Sequence, residues 1–137
     1  MMTVLLVGLP EGPELLAVRQ RVQSSPHFRV IGHAQRPDTA LAQARVLLPD
    51  IAVVTRDRPG PLGDQGRRSL VQALRAFDPP TGIILRRTEL SHPIEPELSA
   101  VDGSIHHIRR GDADALQEAL LVIGRRRATC ATDPDSF

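Results

Sequence analysis

Few residues in this chain combine a reactive type with a spacing that could do chemistry. Gly8-Leu9-Pro10-Glu11-Gly12 follows an apolar run, where a dinucleotide-binding loop would sit. It lacks the G-x-G-x-x-G spacing, and Gln35 stands where an acid would meet a ribose, so that chemistry is set aside. His106-His107, with His33 or His92, invites a metal site. Neighbours on a strand point to opposite faces, however, and cannot easily share one ion. The expectation is one histidine inward and hydrogen-bonded, the other near the working crevice. Arg125-Arg126-Arg127 could meet nucleic acid, but three arginines after a helix end more often favour the helix dipole and a solvated linker. Arg67-Arg68 reads as a solvated helix face. No Ser-His-Asp or Cys-His motif occurs, and the single cysteine, Cys130, excludes a disulfide framework and cysteine zinc sites. No catalytic residue, metal or cofactor is expected.

Composition narrows the class further. With 137 residues and 41% hydrophobic composition the chain can build one core. A domain of this size buries ~68% of its unfolded surface, so it needs no staple. The 17 basic residues nearly balance the 16 acidic ones, which argues against a nucleic-acid or membrane-surface protein. All the basic residues are Arg, and Lys, Asn, Tyr and Trp are absent. Since Lys, Asn and Tyr have AT-rich codons, this points to a GC-rich bacterial genome. The lack of lysine removes phosphate-loop NTPases, Schiff-base enzymes and lysine-dependent kinases. There is no signal-peptide pattern at Met1 to Gly8 and no apolar run near the ~18 residues of a membrane span. The expected setting is cytoplasmic.

The elements that must position any site follow from periodicity. Thr3 to Val7, Phe28 to Ala34, Ile51 to Thr55, Gly82 to Leu85 and Ser104 to Ile108 read as five short buried strands. Gly32 marks a close approach or a sheet edge. Helices are expected over Glu14 to Ser24, Asp38 to Leu48, Arg67 to Phe77 and Asp112 to Ile123, with Asp112 as a cap and Gly124 beyond the end. The second should turn Leu41, Ala44 and Leu48 inward. Arg58 to Gly66 reads as a turn-rich segment. Pro93 and Pro96 shorten or remove any helix between Thr88 and Ala100. Residues 1–124 form the domain, and 125–137 a polar tail or linker. Strands alternating with helices mean a doubly wound parallel α/β sheet with right-handed crossovers, whose crevice lies at the carboxyl ends of the strands.

At the third strand the sequence becomes specific. Leu47-Leu48-Pro49-Asp50-Ile51-Ala52-Val53-Val54-Thr55-Arg56-Asp57-Arg58-Pro59-Gly60 resembles the corresponding segment of response-regulator receiver domains, in which an apolar strand ends in the phosphoacceptor Asp and Pro-Gly follows at fixed spacing. Phe28 to Ala34 is similar to the second strand of that family, and Ala100-Val101-Asp102-Gly103 to the turn before the fifth. The resemblance spans Thr3 to Gly124 and is closest to receivers preceding a helix-turn-helix output domain. It implies a flavodoxin/CheY-like five-stranded sheet of order 2-1-3-4-5.

The resemblance also says which positions should carry the chemistry, and they have changed. Gly8 and Leu9 stand for the acidic pair, Thr55 for the phosphoacceptor, Arg86 for the switch Ser or Thr, Ser104 for the mobile aromatic, and His107 for the Lys. Mg²⁺ needs oxygen ligands, usually including carboxylates, and acyl-phosphate formation needs a carboxylate nucleophile. The Pro59-Gly60 spacing argues against a shifted register in which Asp57 would be the acceptor. Arg86 should instead pair with Asp57 or Glu11, filling the space a phosphoryl group would take. These changes imply a pseudo-receiver that is not an enzyme, a phosphorylation-independent interaction module in bacterial signal transduction or transcription regulation. It would act on a protein partner or as a homodimer through the last helix, with Asp114 and Glu118 exposed, or through an output domain beyond residue 137. The alternatives are a small-molecule sensor using the vacated pocket and a localisation module of the kind preceding pilus-assembly ATPases.

Overall fold

The computed structural model describes residues 2–9, 11–55, 61–77, 80–87, 105–109 and 112–131. Its strands are β1 (Met2–Val7), β2 (Phe28–Ala34), β3 (Ile51–Thr55), β4 (Gly82–Arg87) and β5 (Ile105–Arg109). The helices are α1 (Pro13–Gln23), α2 (Pro37–Leu47), α3 (Pro61–Arg75) and α4 (Ala113–Ala131). All strand pairs are parallel, in the order β2-β1-β3-β4-β5. The expected doubly wound sheet is therefore present.

Alternation along the strands sends side chains into two cores. Val4, Leu6, Ile51, Val53, Ile84 and Ile108 meet Leu15, Val18 and Val22 of α1 and Leu116, Leu120 and Ile123 of α4. Leu5, Val7, Ala52, Val54, Ile83 and Leu85 meet Ala40 and Ala44 of α2 and Leu70, Val71 and Leu74 of α3. The central strand β3 is buried over its whole length, as a run of β-branched and small residues demands. β2 is an edge strand, and its pairing with β1 shifts register between Val4 and Leu5. Gly32 there receives Leu47 of α2: a methyl at that position would come 3.3 Å from the leucine Cδ1.

Two helix boundaries and one helix face differ most from the sequence expectation. α3 begins at Pro61, inside the segment read as a turn. Proline is at home in a first helical turn, and Gly66 serves packing rather than turning, since a Cβ there would lie 3.2 Å from Pro37 Cγ. α4 does not stop at Gly124 but runs on to Ala131, so residues 125–131, expected as tail, continue the helix. Gly124 lies against the Phe28 ring, where a Cβ would be 3.3 Å from Cζ. α2 turns Ala40 and Ala44 inward, with Leu41 partly buried, whereas Leu48 is 65% exposed. The shortened crossover expected between Thr88 and Ala100 lies outside the described residues.

Asp112 caps α4 as expected: Ala115 N–H donates to its Oδ1 at 2.9 Å.

Candidate functional site

The crevice is built where β1, β3 and β4 end. After β1 the chain bends at Gly8, whose φ of +88° is a left-handed value. Its N–H donates to the Ala34 carbonyl at 2.8 Å. A Cβ on Gly8 would overlap the carbonyl oxygen of Thr55, so the two strand ends meet backbone to backbone and only glycine fits. The next residue, Leu9, is buried in the α1/α4 core. These are the positions at which the resemblance expects two acids.

Opposite Gly8, Thr55 ends β3 with its side chain on the α1/α4 side of the sheet. The parallel register sets Thr55 beside Arg86 of β4. Arg86 is 5% exposed and Thr55 1%. Arg86 Nη1 donates to Thr55 Oγ1 at 2.9 Å, and Nη2 reaches Glu14 Oε1 at 3.4 Å. A buried guanidinium costs several kcal/mol unless its donors are met, and here a hydroxyl and a carboxylate from two other elements each take one of them. Glu14 stands in the first turn of α1, where a carboxylate also suits the helix dipole.

Glu14 is a partner the sequence reasoning missed. Glu11, one of the two acids expected there, is elsewhere: its largely exposed carboxylate lies 3.9 Å from His33 Nε2. Asp57, the other, lies outside the described residues, as does Ser104. The signal for Glu14 was weak, because an acid in the first turn of a helix reads as an ordinary dipole partner.

The remaining expected positions do not join the crevice. His107 pairs in register with Leu85, one step before the level of Arg86 and Ile108. Alternation puts it on the α2/α3 side, opposite Arg86, with His106 on the α1/α4 side. Both histidines are half-buried. On α4, Glu118 is exposed and Asp114 pairs with Arg21 of α1 at 3.0 Å.

The chemistry this arrangement can do is limited. The hydroxyl of Thr55 accepts a hydrogen bond from a fixed cation, the reverse of what a nucleophile needs. Among the described residues no group of three or more His, Cys, Asp or Glu could hold a metal ion. No described helix is long and apolar enough to cross a membrane.

No protein-family model matches the chain, and no curated protein matches it. Solved structures do. The chain superposes on the signal receiver domain of an HD domain-containing protein from Pseudomonas fluorescens with a TM-score of 0.69, at 18% identity over 93% of this chain and 98% of that one. The fold is that of a receiver domain. A two-component response regulator of the LuxR family from Aurantimonas gives a TM-score of 0.66 at 22% identity, covering 91% of this chain and 86% of that one. A pilus assembly-related protein from Burkholderia pseudomallei gives 0.70 at 17% identity, covering 92% and 91%.

Proposed function

We propose that this receiver-fold chain is a non-catalytic protein-interaction module of bacterial signalling that works without phosphorylation. One observation carries the reading. The guanidinium of Arg86 sits at the strand-end crevice, buried and hydrogen-bonded to the Thr55 hydroxyl at 2.9 Å, where the fold's chemistry would place a phosphoryl group.

The fold family's Mg²⁺ does not fit these residues. Gly8 cannot carry a side chain of any kind, Leu9 is an apolar core residue, and Thr55 offers a neutral oxygen already facing a cation. A divalent ion would have to displace Arg86 and would find no carboxylate at either position that should supply one. The same internal filling speaks against the alternative of a small ligand in a vacated pocket, because the buried Arg86 side chain occupies it.

With no phosphoryl switch, a partner must read a surface already present in the free protein. The outer face of α4 is the proposed surface, with Glu118 at its centre and Asp114 tied to α1. A localisation role, of the kind held by receivers that precede pilus-assembly ATPases, is a narrower version of the same reading. The likeness in fold to the pilus assembly-related protein is consistent with it.

Intact-mass measurement after incubation with acetyl phosphate and Mg²⁺ tests the proposal. The mass is expected to stay unchanged. An adduct of one phosphoryl group on any aspartate, Asp57 included, overturns it.

A further inference from the structure

Three consecutive apolar residues at the end of α2 and in its cap keep surface open to water, although Leu47 also packs on Gly32. Val46 is 81% exposed, Leu47 41% and Leu48 65%. Leu48 is also the residue that turns the chain out of the helix, with φ 49° and ψ 61°, and its N–H donates to the Ala44 carbonyl at 2.8 Å. Glycine or asparagine adopts this left-handed cap at little cost, whereas leucine does so under strain. A leucine that is both strained and exposed returns nothing to the stability of the lone fold. Such a residue argues for a role outside it, and contiguous exposed apolar surface argues for a partner. The patch has a basic surround: Arg45 directly precedes it on α2, and exposed Arg29 lies on the adjoining edge strand β2. The acid next in sequence, Asp50, is turned to Thr3, whose N–H donates to its carboxylate at 2.8 Å.

The same chain carries a surface of complementary character. The outer face of α4 presents exposed Glu118, then Leu121 and Val122, which are 36% and 39% exposed, and exposed Arg125 one turn further on, while Leu116, Ala119, Leu120 and Ile123 face the core. One face is apolar with basic neighbours, and the other is apolar with Glu118 on the side toward the helix start and Arg125 on the side toward its end. We infer that the end of α2 in one molecule seats the outer face of α4 in a second copy, Leu47 and Leu48 against Leu121 and Val122, with Arg45 toward Glu118. This rests on the reading of α4 as a docking surface. The two faces are different, so the contact is head-to-tail. Each molecule keeps one face of each kind available, and assembly continues past a dimer as concentration rises.

Sedimentation velocity on the full chain over a range of concentrations tests this, with Leu48→Asp and Leu121→Asp as the two half-blocked variants. Both sites are on the surface, and circular dichroism checks that each variant is folded. Wild type is expected to pass beyond a dimer, and each variant alone to stay monomeric. An equimolar mixture of the two variants is expected to recover association that stops at two, because each retains the half the other lacks. Leu48→Gly is expected to stay monomeric with a higher thermal midpoint, since glycine relaxes the cap. Wild type that is monomeric throughout, or a mixture that recovers nothing, overturns the inference. If Leu121→Asp abolishes association while Leu48→Asp leaves it intact, the α4 reading stands and the head-to-tail contact falls. Normal association by Leu121→Asp removes both.

Discussion

Thr55 carries more of the crevice than Glu14 does, and the two can be separated by measurement. Thr55 gives a fully buried oxygen to a charged donor, a hydrogen bond worth about 1.5–3 kcal/mol, so Thr55→Val should cost that much in urea unfolding. The Glu14 side chain is 36% exposed and its contact with Arg86 is long, so Glu14→Gln should cost less than about 1 kcal/mol. The reverse ranking would mean that the carboxylate, not the hydroxyl, holds the guanidinium. Gly8 makes a stronger prediction. Its left-handed φ and its contact with the Thr55 backbone leave no room for a methyl, so Gly8→Ala should lose about 3 kcal/mol or more. A smaller loss would show that the two strand ends can move apart. Thr55 and Arg86 could be placed at the crevice from the sequence, because each sits at the end of an apolar run. Glu14 could not, since the reach of a long arginine across two strands has no periodic signature.

Gly66 shows at the scale of elements why helix boundaries were harder to read than strands. The strands announce themselves as short β-branched runs between turn residues, and β2 and β3 have the limits expected of them. Helix ends were inferred from glycines, and two glycines here serve packing instead. Gly66 lets α3 approach Pro37 of α2, and Gly124 lets α4 cross the ring of Phe28. Both look like breakers in a sequence because the same missing Cβ permits a turn or a close contact. The packing role has a testable cost. Gly66→Leu has to push α3 away from Pro37, and should destabilise by about 1–3 kcal/mol although leucine is by far the better helix former. A stabilised variant would show that α3 and α2 are not closely packed at this point.

Order 2-1-3-4-5 and the two covered faces give the molecule the fold of a receiver, and Arg86 lies buried at the strand-end crevice against the Thr55 hydroxyl. The fold was legible because every strand is a self-contained apolar segment and the resemblance fixed their order. The strand-end positions at the crevice were legible because they follow those strands directly. The contact between Arg86 and Glu14 was not, since it joins residues 72 positions apart on α1 and β4. Amide nuclear magnetic resonance tests whether Arg86 holds the place of the phosphoryl group. Spectra of the labelled protein are recorded before and after addition of Mg²⁺ with beryllofluoride, a phosphoryl mimic. With Arg86 in that place, the amides of Gly8, Leu9, Thr55 and Arg86 are expected to keep their positions at saturating mimic. Saturable shifts of those amides, appearing only when metal and mimic are both present, would contradict it.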